Sequence, residues 1–173
     1  SQSGGYDSVK GLTGAAVMKL HYQLESLRME FDPRQFTQVN ADMNARLIAT
    51  AIDYLKPLTK KEIIDLFCGI GNFSLPMARS GASVLGVEFA QESVSQARLN
   101  AEINELAGVE FAVADLYKDS RCLQMKPNAT ALVLDPPRSG AGPLLDVWLQ
   151  ELKQLEEIVY VSCKPLSFAD DVH

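Results

Sequence analysis

A doubly wound α/β sheet of mostly parallel strands is the fold class this sequence predicts, and three observations predict it. Short runs that are apolar throughout, such as Ile63-Ile64 and Ala131-Leu132-Val133-Leu134, recur along the chain. Such runs fit strands covered on both faces, where inside–outside alternation is not required. Segments of helix length separate them, as crossover helices do in a parallel sheet. The first of these strands leads into a glycine turn, Cys68-Gly69-Ile70-Gly71, at the place where such sheets turn from strand to helix.

Each element follows from local pattern. Gly4-Gly5, Gly11 and Gly14 punctuate a polar lead, after which Val17 to Leu24 and Leu27 to Phe31 fit short strands or an ill-defined arm, broken at Asp32-Pro33. Val39, Met43, Leu47, Ile48, Ala51 and Leu55 recur at three- and four-residue steps, which predicts an amphipathic helix that Pro57 ends. Ile63 to Phe67 is a strand. Asn72 is placed to cap a short helix to about Arg79, which Gly81 closes. Ser83 to Glu88 is the next strand, Ala90 to Asn104 a helix, and Val109 to Val113 and Ala131 to Leu134 two more strands. Pro143 to about Leu155 predicts a helix and Ile158 to Val161 a fifth strand, with Pro165 stopping regular structure soon after. The sheet reads as unfinished, with one or two further strands expected beyond residue 173. The expected organisation is an arm or linker over 1–35 and an α/β domain over 36–173.

Composition bounds the function. A length of 173 residues is that of one domain at roughly 150 residues per domain. With 47% hydrophobic and 22% charged residues and a mean hydropathy of −0.01, the chain is neither disordered nor collagen-like. Sixteen Lys and Arg against 22 Asp and Glu leave a net charge of −6, the wrong sign for a protein that coats polyanions. A nucleic-acid role therefore needs a local patch or a partner domain. No charge-free apolar run approaches the ~18 residues of a membrane span, and SQSGGYDSVK lacks a signal-peptide pattern. Cys68, Cys122 and Cys163 are odd in number without C-x-x-C spacing, and His21 and His173 are the only histidines. These counts argue against a disulfide framework, a zinc or iron–sulfur site and a Ser-His-Asp hydrolase. Reduced thiols in a cytoplasmic protein are the expectation.

Ligands of open α/β sheets bind outside the carboxyl ends of the strands. The residues there are Phe67 to Asn72, Glu88, Asp115, Asp135-Pro136-Pro137-Arg138 and Ser162-Cys163-Lys164-Pro165. Gly69 and Gly71 let a backbone pass close to a ligand, although a plain tight turn uses glycines equally. The third glycine of a dinucleotide fingerprint is replaced by Ser74, which weakens a pyrophosphate site and leaves an adenosyl group possible. Glu88 ends its strand 17 residues beyond Gly71, where a carboxylate accepts from two ribose hydroxyls. Asp115 is placed to accept from an adenine amino group or to cap a helix. Two prolines stiffen the loop after Asp135, so a rigid carboxylate there can hold a planar base; a stiff turn with Arg138 paired to an acid is the plainer reading. Cys163 sits on the ligand edge, with Lys164 and a following helix N-terminus placed to favour a thiolate, whereas Cys68 and Cys122 read as structural.

Phe36-Thr37-Gln38-Val39-Asn40, Asp65 to Phe73, Gly86-Val87-Glu88, Asp135 to Arg138 and Val159 to Pro165 stand in the order seen in bacterial RNA uracil-C5 methyltransferases. The chain resembles that family over roughly residues 25–171, most closely its large-subunit ribosomal RNA branch, with the tRNA branch near. The resemblance implies a Rossmann-like class I methyltransferase domain and S-adenosylmethionine as methyl donor. It implies cofactor contacts from Gln38, Phe67, Gly69, Gly71, Asn72, Glu88, Asp115 and Asp135. It also implies Cys163 as nucleophile, Asp135 facing the target base, and Phe36 and Arg138 on the substrate side. The implied partner is RNA, rRNA ahead of tRNA, for a cytoplasmic monomer with no membrane, metal or iron–sulfur cluster in this chain.

Three departures from the family pattern stand out. Lys164 follows the cysteine where the family has Asn. The family's general-base glutamate is expected beyond residue 173, and the N-terminal RNA-binding β-barrel that many members carry, sometimes with an iron–sulfur cluster, is not expected within this chain. An isolated domain that binds cofactor, turns over poorly and grips RNA weakly is the expectation. Competing expectations are an amino-group nucleic-acid methyltransferase using the Asp-Pro-Pro loop, a non-catalytic nucleotide-binding module and, third, a dinucleotide oxidoreductase.

Overall fold

The computed structural model describes residues 20–32 and 41–172. Five parallel strands form the central sheet: β3 (Glu62–Leu66), β4 (Ser83–Glu88), β5 (Val109–Val113), β6 (Ala131–Leu134) and β7 (Glu157–Tyr160). Their order is β5-β4-β3-β6-β7. The chain winds outward from β3 in one direction, returns to β6 beside β3, and winds outward in the other. The switch point therefore lies between β3 and β6, and the loops leaving these two strands flank a crevice. The predicted doubly wound sheet is present, with β5 and β6 at their predicted bounds.

Burial of both faces explains the unbroken apolar runs. Ile63, Val84, Ala131 and Val133 point to one side, where they meet α1 (Ala41–Leu55), α2 (Ser74–Arg79) and α3 (Gln91–Ile103). Ile64, Leu66, Leu85, Leu132 and Leu134 point to the other, against Leu123, Leu145 and the fully buried Trp148 of α4 (Leu144–Glu151). In α1 the buried positions are Asn44, Ile48, Ala51 and Leu55, a one-sided stripe. Met43, expected on that stripe, is exposed.

The N-terminal strands are a hairpin, β1 (Leu20–Leu24) paired antiparallel with β2 (Leu27–Phe31). Leu24, Leu27 and Met29 are buried with the α1–α3 layer. Two amides, Asn100 of α3 and Asn104 at its C-terminal cap, fasten the hairpin. Asn104 accepts from the Arg28 N–H at 2.9 Å and donates to the Arg28 carbonyl at 2.8 Å. One turn earlier Asn100 does the same with Glu30, at 2.9 and 3.1 Å.

Three local expectations differ from the structure. Asn72 does not cap α2: its side chain exchanges hydrogen bonds with Asn44 of α1 at 2.8 and 2.9 Å, and α2 starts without a side-chain cap. Helix α4 stops at Glu151, short of Leu155, because Leu152 leaves the helical region and Leu155 closes a turn onto it. Pro165 begins a helix, α5 (Pro165–Asp171), rather than stopping regular structure. A proline lacks the N–H that a first helical turn leaves unused, so it opens helices as readily as it ends them.

Candidate active site

A cleft of about 1280 Å³ opens at the carboxyl edge of the sheet, lined by Asp32 just beyond β2 and by five segments that leave the strands of the central sheet. They bring Phe67 and Gly69, Glu88 and Phe89, Asp115 and Tyr117, Asp135 to Arg138, and Cys163 to one place. Successive segments are 18 or more residues apart in sequence. The strand order alone makes them neighbours.

The loop after β3 owes its path to backbone conformation. Phe67 holds φ at +62°, in the left-handed region, with its ring against Tyr117 at 5.9 Å and Trp148 at 6.1 Å. Such a conformation is costly for a bulky residue and persists where packing enforces it. The Cys68 N–H then donates to the Val87 carbonyl at 3.1 Å, tying the loop to β4. The two glycines have different duties. Gly69 (φ +55°) has open space where a Cβ would stand and lines the cleft. A Cβ on Gly71 would sit 2.9 Å from Leu75 Cγ, so this glycine makes room for α2.

Glu88 ends β4 with its carboxylate fixed on both sides. Oε2 accepts from the Gly69 N–H at 3.2 Å and Oε1 from the Ala90 N–H at 3.0 Å. The side chain thus couples the glycine loop to the start of α3, while each oxygen keeps a lone pair for a ligand. Asp115 is held by the Tyr117 N–H at 3.1 Å and by Lys118 Nζ at 2.7 Å. The Lys118 bond, with help from the Tyr117 N–H, keeps its carboxyl below the usual value.

Asp135 leaves β6 into the Pro136-Pro137 turn, and burial pushes its carboxyl up to about 6. The plainer expectation for this loop, Arg138 in an ion pair, is not met among the described residues. Beneath the loops lies Asp65, 1% exposed, accepting from the Ser74 hydroxyl at 2.5 Å. Burial raises its carboxyl to about 7 against the Ser74 bond, and the nearby Asp135 and Glu88 carboxylates add to the rise. Ser74, where a dinucleotide fingerprint has its third glycine, is therefore spent on a buried acid.

Of the three thiols only Cys163 is exposed. It lies in the turn between β7 and α5, where the Ser162 hydroxyl accepts from the Lys164 N–H at 3.1 Å. Cys68 is buried and its thiol is pushed up, first by burial and then by Asp65 and Glu88. Burial also raises the half-buried Cys122.

The cleft gathers Phe67, Gly69, Glu88, Asp115, Asp135, Arg138 and Cys163 of the predicted site residues. Gly71 and Asn72 face Leu75 and Asn44 instead. Gln38 and Phe36 lie outside the described residues. Phe89 and Tyr117 line the cleft without having been predicted; Phe89 is 68% exposed, and its signal was a large aromatic directly after a strand-end acid. Among the described residues no group of His, Cys, Asp or Glu is arranged to hold a metal ion, and no helix is long and apolar enough to cross a membrane.

Comparison with known proteins gives this arrangement its context. The sequence is 46% identical, over 98% of its length, to the 23S rRNA (uracil(1939)-C(5))-methyltransferase RlmD of Stenotrophomonas maltophilia (strain R551-3), and 42% identical over 93% to the protein of that name from Shewanella sp. (strain MR-7). The chain spans 38% and 37% of the length of these two relatives. Its fold superposes with a TM-score of 0.76 on the Pyrococcus abyssi tRNA (uracil-54, C5)-methyltransferase solved with S-adenosyl-L-homocysteine, at 30% identity, covering 89% of this chain and 37% of that one. A T. thermophilus 16S rRNA N2 G1207 methyltransferase shares the fold, with a TM-score of 0.56, 24% identity and coverage of 69% of this chain and 32% of that one. The sequence model of tRNA (uracil-5-)-methyltransferases matches residues 17–173. A match that takes in the glycine loop, the Asp-Pro-Pro turn and the exposed cysteine together makes the assignment: this chain belongs to the tRNA (uracil-5-)-methyltransferase family.

Proposed function

We propose that this chain is the methyltransferase domain of an RNA uracil-C5 methyltransferase that acts on 23S rRNA and takes its methyl group from S-adenosylmethionine. The observation that carries the reading is the meeting of Glu88, Asp135 and an exposed Cys163 in one cleft at the switch point of the sheet. The rRNA preference rests on the names of the 46% and 42% identical relatives.

The residues present fit such a cofactor. Gly69 leaves open space beside the Glu88 carboxylate, and Phe67, Phe89 and Tyr117 give the cleft aromatic surface for an adenine. Glu88 and Asp135 form no salt bridge among the described residues, so the cleft offers negative charge to a cationic ligand. Glu88 would accept from ribose hydroxyls, Asp115 from the adenine amino group, and Gln38 would add a further contact. When bound, S-adenosylmethionine supplies an electrophilic methyl group to a carbon that the protein must first make nucleophilic.

Cys163 does that. Its sulfur adds to C6 of the uracil, and the electron pair of the C5–C6 double bond becomes an enolate, with C5 as its carbon nucleophile. After C5 is methylated, its proton passes to a base and the electron pair re-forms C5–C6 as the C6–S bond breaks, returning the thiolate. Asp135, fixed by two prolines, hydrogen-bonds the edge of the base. Its raised proton affinity allows it to donate near neutral pH as well as accept. The uridine leaves its stack to enter the cleft that Arg138 lines, and the family resemblance alone assigns Phe36 to the substrate.

The reading is tested with S-adenosylhomocysteine calorimetry and with RNA carrying 5-fluorouridine, whose fluorine cannot leave as a proton does and so holds the Cys163 adduct. Micromolar binding that Glu88→Ala loses, together with an adduct that Cys163→Ala abolishes, is the expected result. Full methylation by Cys163→Ala would refute the covalent route and favour an amino-group methyltransferase, which needs no thiol.

A further inference from the structure

The turn that follows Asp135-Pro136-Pro137-Arg138 is held by Asp171 of α5, and the Tyr160 hydroxyl also accepts from the Ala141 N–H at 3.3 Å. Asp171 Oδ2 accepts from the Ala141 N–H at 2.7 Å and Oδ1 from the Gly142 N–H at 2.8 Å. The Tyr160 hydroxyl, at the end of β7, donates to Asp171 Oδ2 as well. Burial opposes the charge on Asp171, but the Tyr160 hydroxyl and the two backbone donors outweigh it and hold the carboxyl below its ordinary value.

The turn is shaped to receive this carboxylate. Gly140 has φ +84°, and a Cβ there would stand 2.5 Å from Asp171 Oδ2. Only a glycine lets the backbone come this close. From the other side the Tyr117 hydroxyl donates to the Gly140 carbonyl at 2.9 Å.

These bonds join the two segments that carry the reactive groups. One segment runs from Asp135 through the prolines to Gly142. The other runs from Tyr160 through Cys163 into α5, and the Tyr160 ring meets Phe168 of α5 edge-on at 5.1 Å. Asp171 itself does not line the cleft. It stands behind both segments and touches each.

We propose that Asp171 is a positioning residue for methyl transfer: it clamps the 139–142 turn to the helix that follows Cys163, and so sets where Asp135 and Cys163 stand relative to one another. This rests on the proposed roles of Cys163 as nucleophile and Asp135 as the group facing the base. The cofactor side of the cleft is built on Glu88, Gly69 and Asp115, none of which Asp171 touches. Tyr117 ties the cofactor side to the same turn through the Gly140 carbonyl, but Glu88, Gly69 and Asp115 keep their own bonds, so loss of the clamp acts on the chemical step far more than on cofactor affinity. A misplacement on the order of 1 Å between reacting groups costs about 100-fold in rate.

The test uses the protein at its natural full length, with Asp171→Asn, Tyr160→Phe, Gly140→Ala and Cys163→Ala compared for kcat, RNA KM, S-adenosylhomocysteine affinity and rate of adduct formation with 5-fluorouridine RNA. Asp171→Asn is expected to lower kcat and adduct formation together, by about 10- to 100-fold, with cofactor affinity within about twofold of the parent. Gly140→Ala should do the same from the opposite side. Tyr160→Phe, which keeps both backbone bonds to Asp171 and loses only the hydroxyl's contacts with Asp171 and the Ala141 N–H, should do so more weakly. Unchanged kcat in Asp171→Asn and Gly140→Ala would overturn the clamp, as would cofactor affinity falling in step with kcat. If Asp171→Asn fails to fold, the same criteria decide on the other two variants. Methylation retained by Cys163→Ala would sink the parent reading and the clamp with it, whereas an inactive Cys163→Ala beside a fully active Asp171→Asn would sink the clamp alone.

Discussion

Asp65 makes the domain's stability depend on pH in a direction opposite to that of most carboxylates. Its side chain is 1% exposed, and its carboxyl rises from an ordinary 3.8 to about 7, chiefly through burial. Each pH unit of displacement is worth about 1.4 kcal/mol, so ionising Asp65 in the folded chain costs about 4 kcal/mol more than in the unfolded chain. Between about pH 4 and 7 the unfolded chain carries this group ionised while the folded chain keeps it protonated. Its contribution to stability is thus complete below about pH 4 and is lost as pH climbs through 7. Asp65→Asn offers the neutral shape at every pH and keeps an acceptor for the Ser74 hydroxyl. Urea unfolding of parent and variant from pH 4.5 to 8.5 can be followed by Trp148, the only tryptophan and fully buried. The variant is expected to gain on the parent as pH rises, by at most about 4 kcal/mol at the alkaline end. A difference that does not vary with pH, or one that shrinks as pH rises, would show that Asp65 is ionised in the fold and would refute the reasoning.

Three further outcomes follow from particular contacts. Glu88→Gln removes the charge but keeps one acceptor for the Gly69 or Ala90 N–H; S-adenosylhomocysteine affinity should fall by about tenfold or more by calorimetry, since hydrogen bonds to a charged group contribute about 1.5–3 kcal/mol. Gly86→Ala would place a Cβ 2.6 Å from the Phe111 ring and 2.9 Å from Cys68 Sγ, an overpacking cost of about 1–3 kcal/mol that chemical denaturation would show and Phe111→Leu should partly relieve. Iodoacetamide on the native chain should label Cys163 first and spare Cys68, because one thiol is exposed and the other buried; a peptide map with equal labelling of the two would contradict this.

What the sequence disclosed and what it withheld divide along a physical line. Strands β5 and β6 fall at their expected bounds because an apolar run flanked by turn residues has one way to be buried. The cleft was legible because the carboxyl ends of parallel strands converge, so the sequence alone groups Phe67, Glu88, Asp115, Asp135 and Cys163. Asn72 was misplaced as a cap because its partner, Asn44, lies 28 residues away on another helix, and no local pattern announces that pairing. A helix N-terminus is expected after Cys163, but Pro165 reads as a stop, because its missing N–H suits a stop and a start alike. Asp65 passed as an ordinary strand residue, although a carboxylate inside Ile63-Ile64-Asp65-Leu66-Phe67 was itself the signal. The clamp on Gly140 was beyond reach, since its meaning depends on an aspartate 31 residues further on.

Asn100 of α3 and Asn104 at its C-terminal cap do for the hairpin what another strand would do. An extended strand presents N–H and C=O of alternate residues on one side, and Asn100 and Asn104 supply an acceptor and a donor to Glu30 and Arg28 in that spacing. One helical turn has been matched to two residues of strand. The outer rim of β2 is thereby closed to pairing with a foreign chain, the usual hazard of an unpaired edge. It is also locked in phase: sliding the hairpin by one residue would set Met29 and Phe31 opposite the two amides, and the backbone groups of these alternate residues point the other way, toward β1. A pair of identical side chains thus fixes where the hairpin sits, and with it which of its residues enter the core.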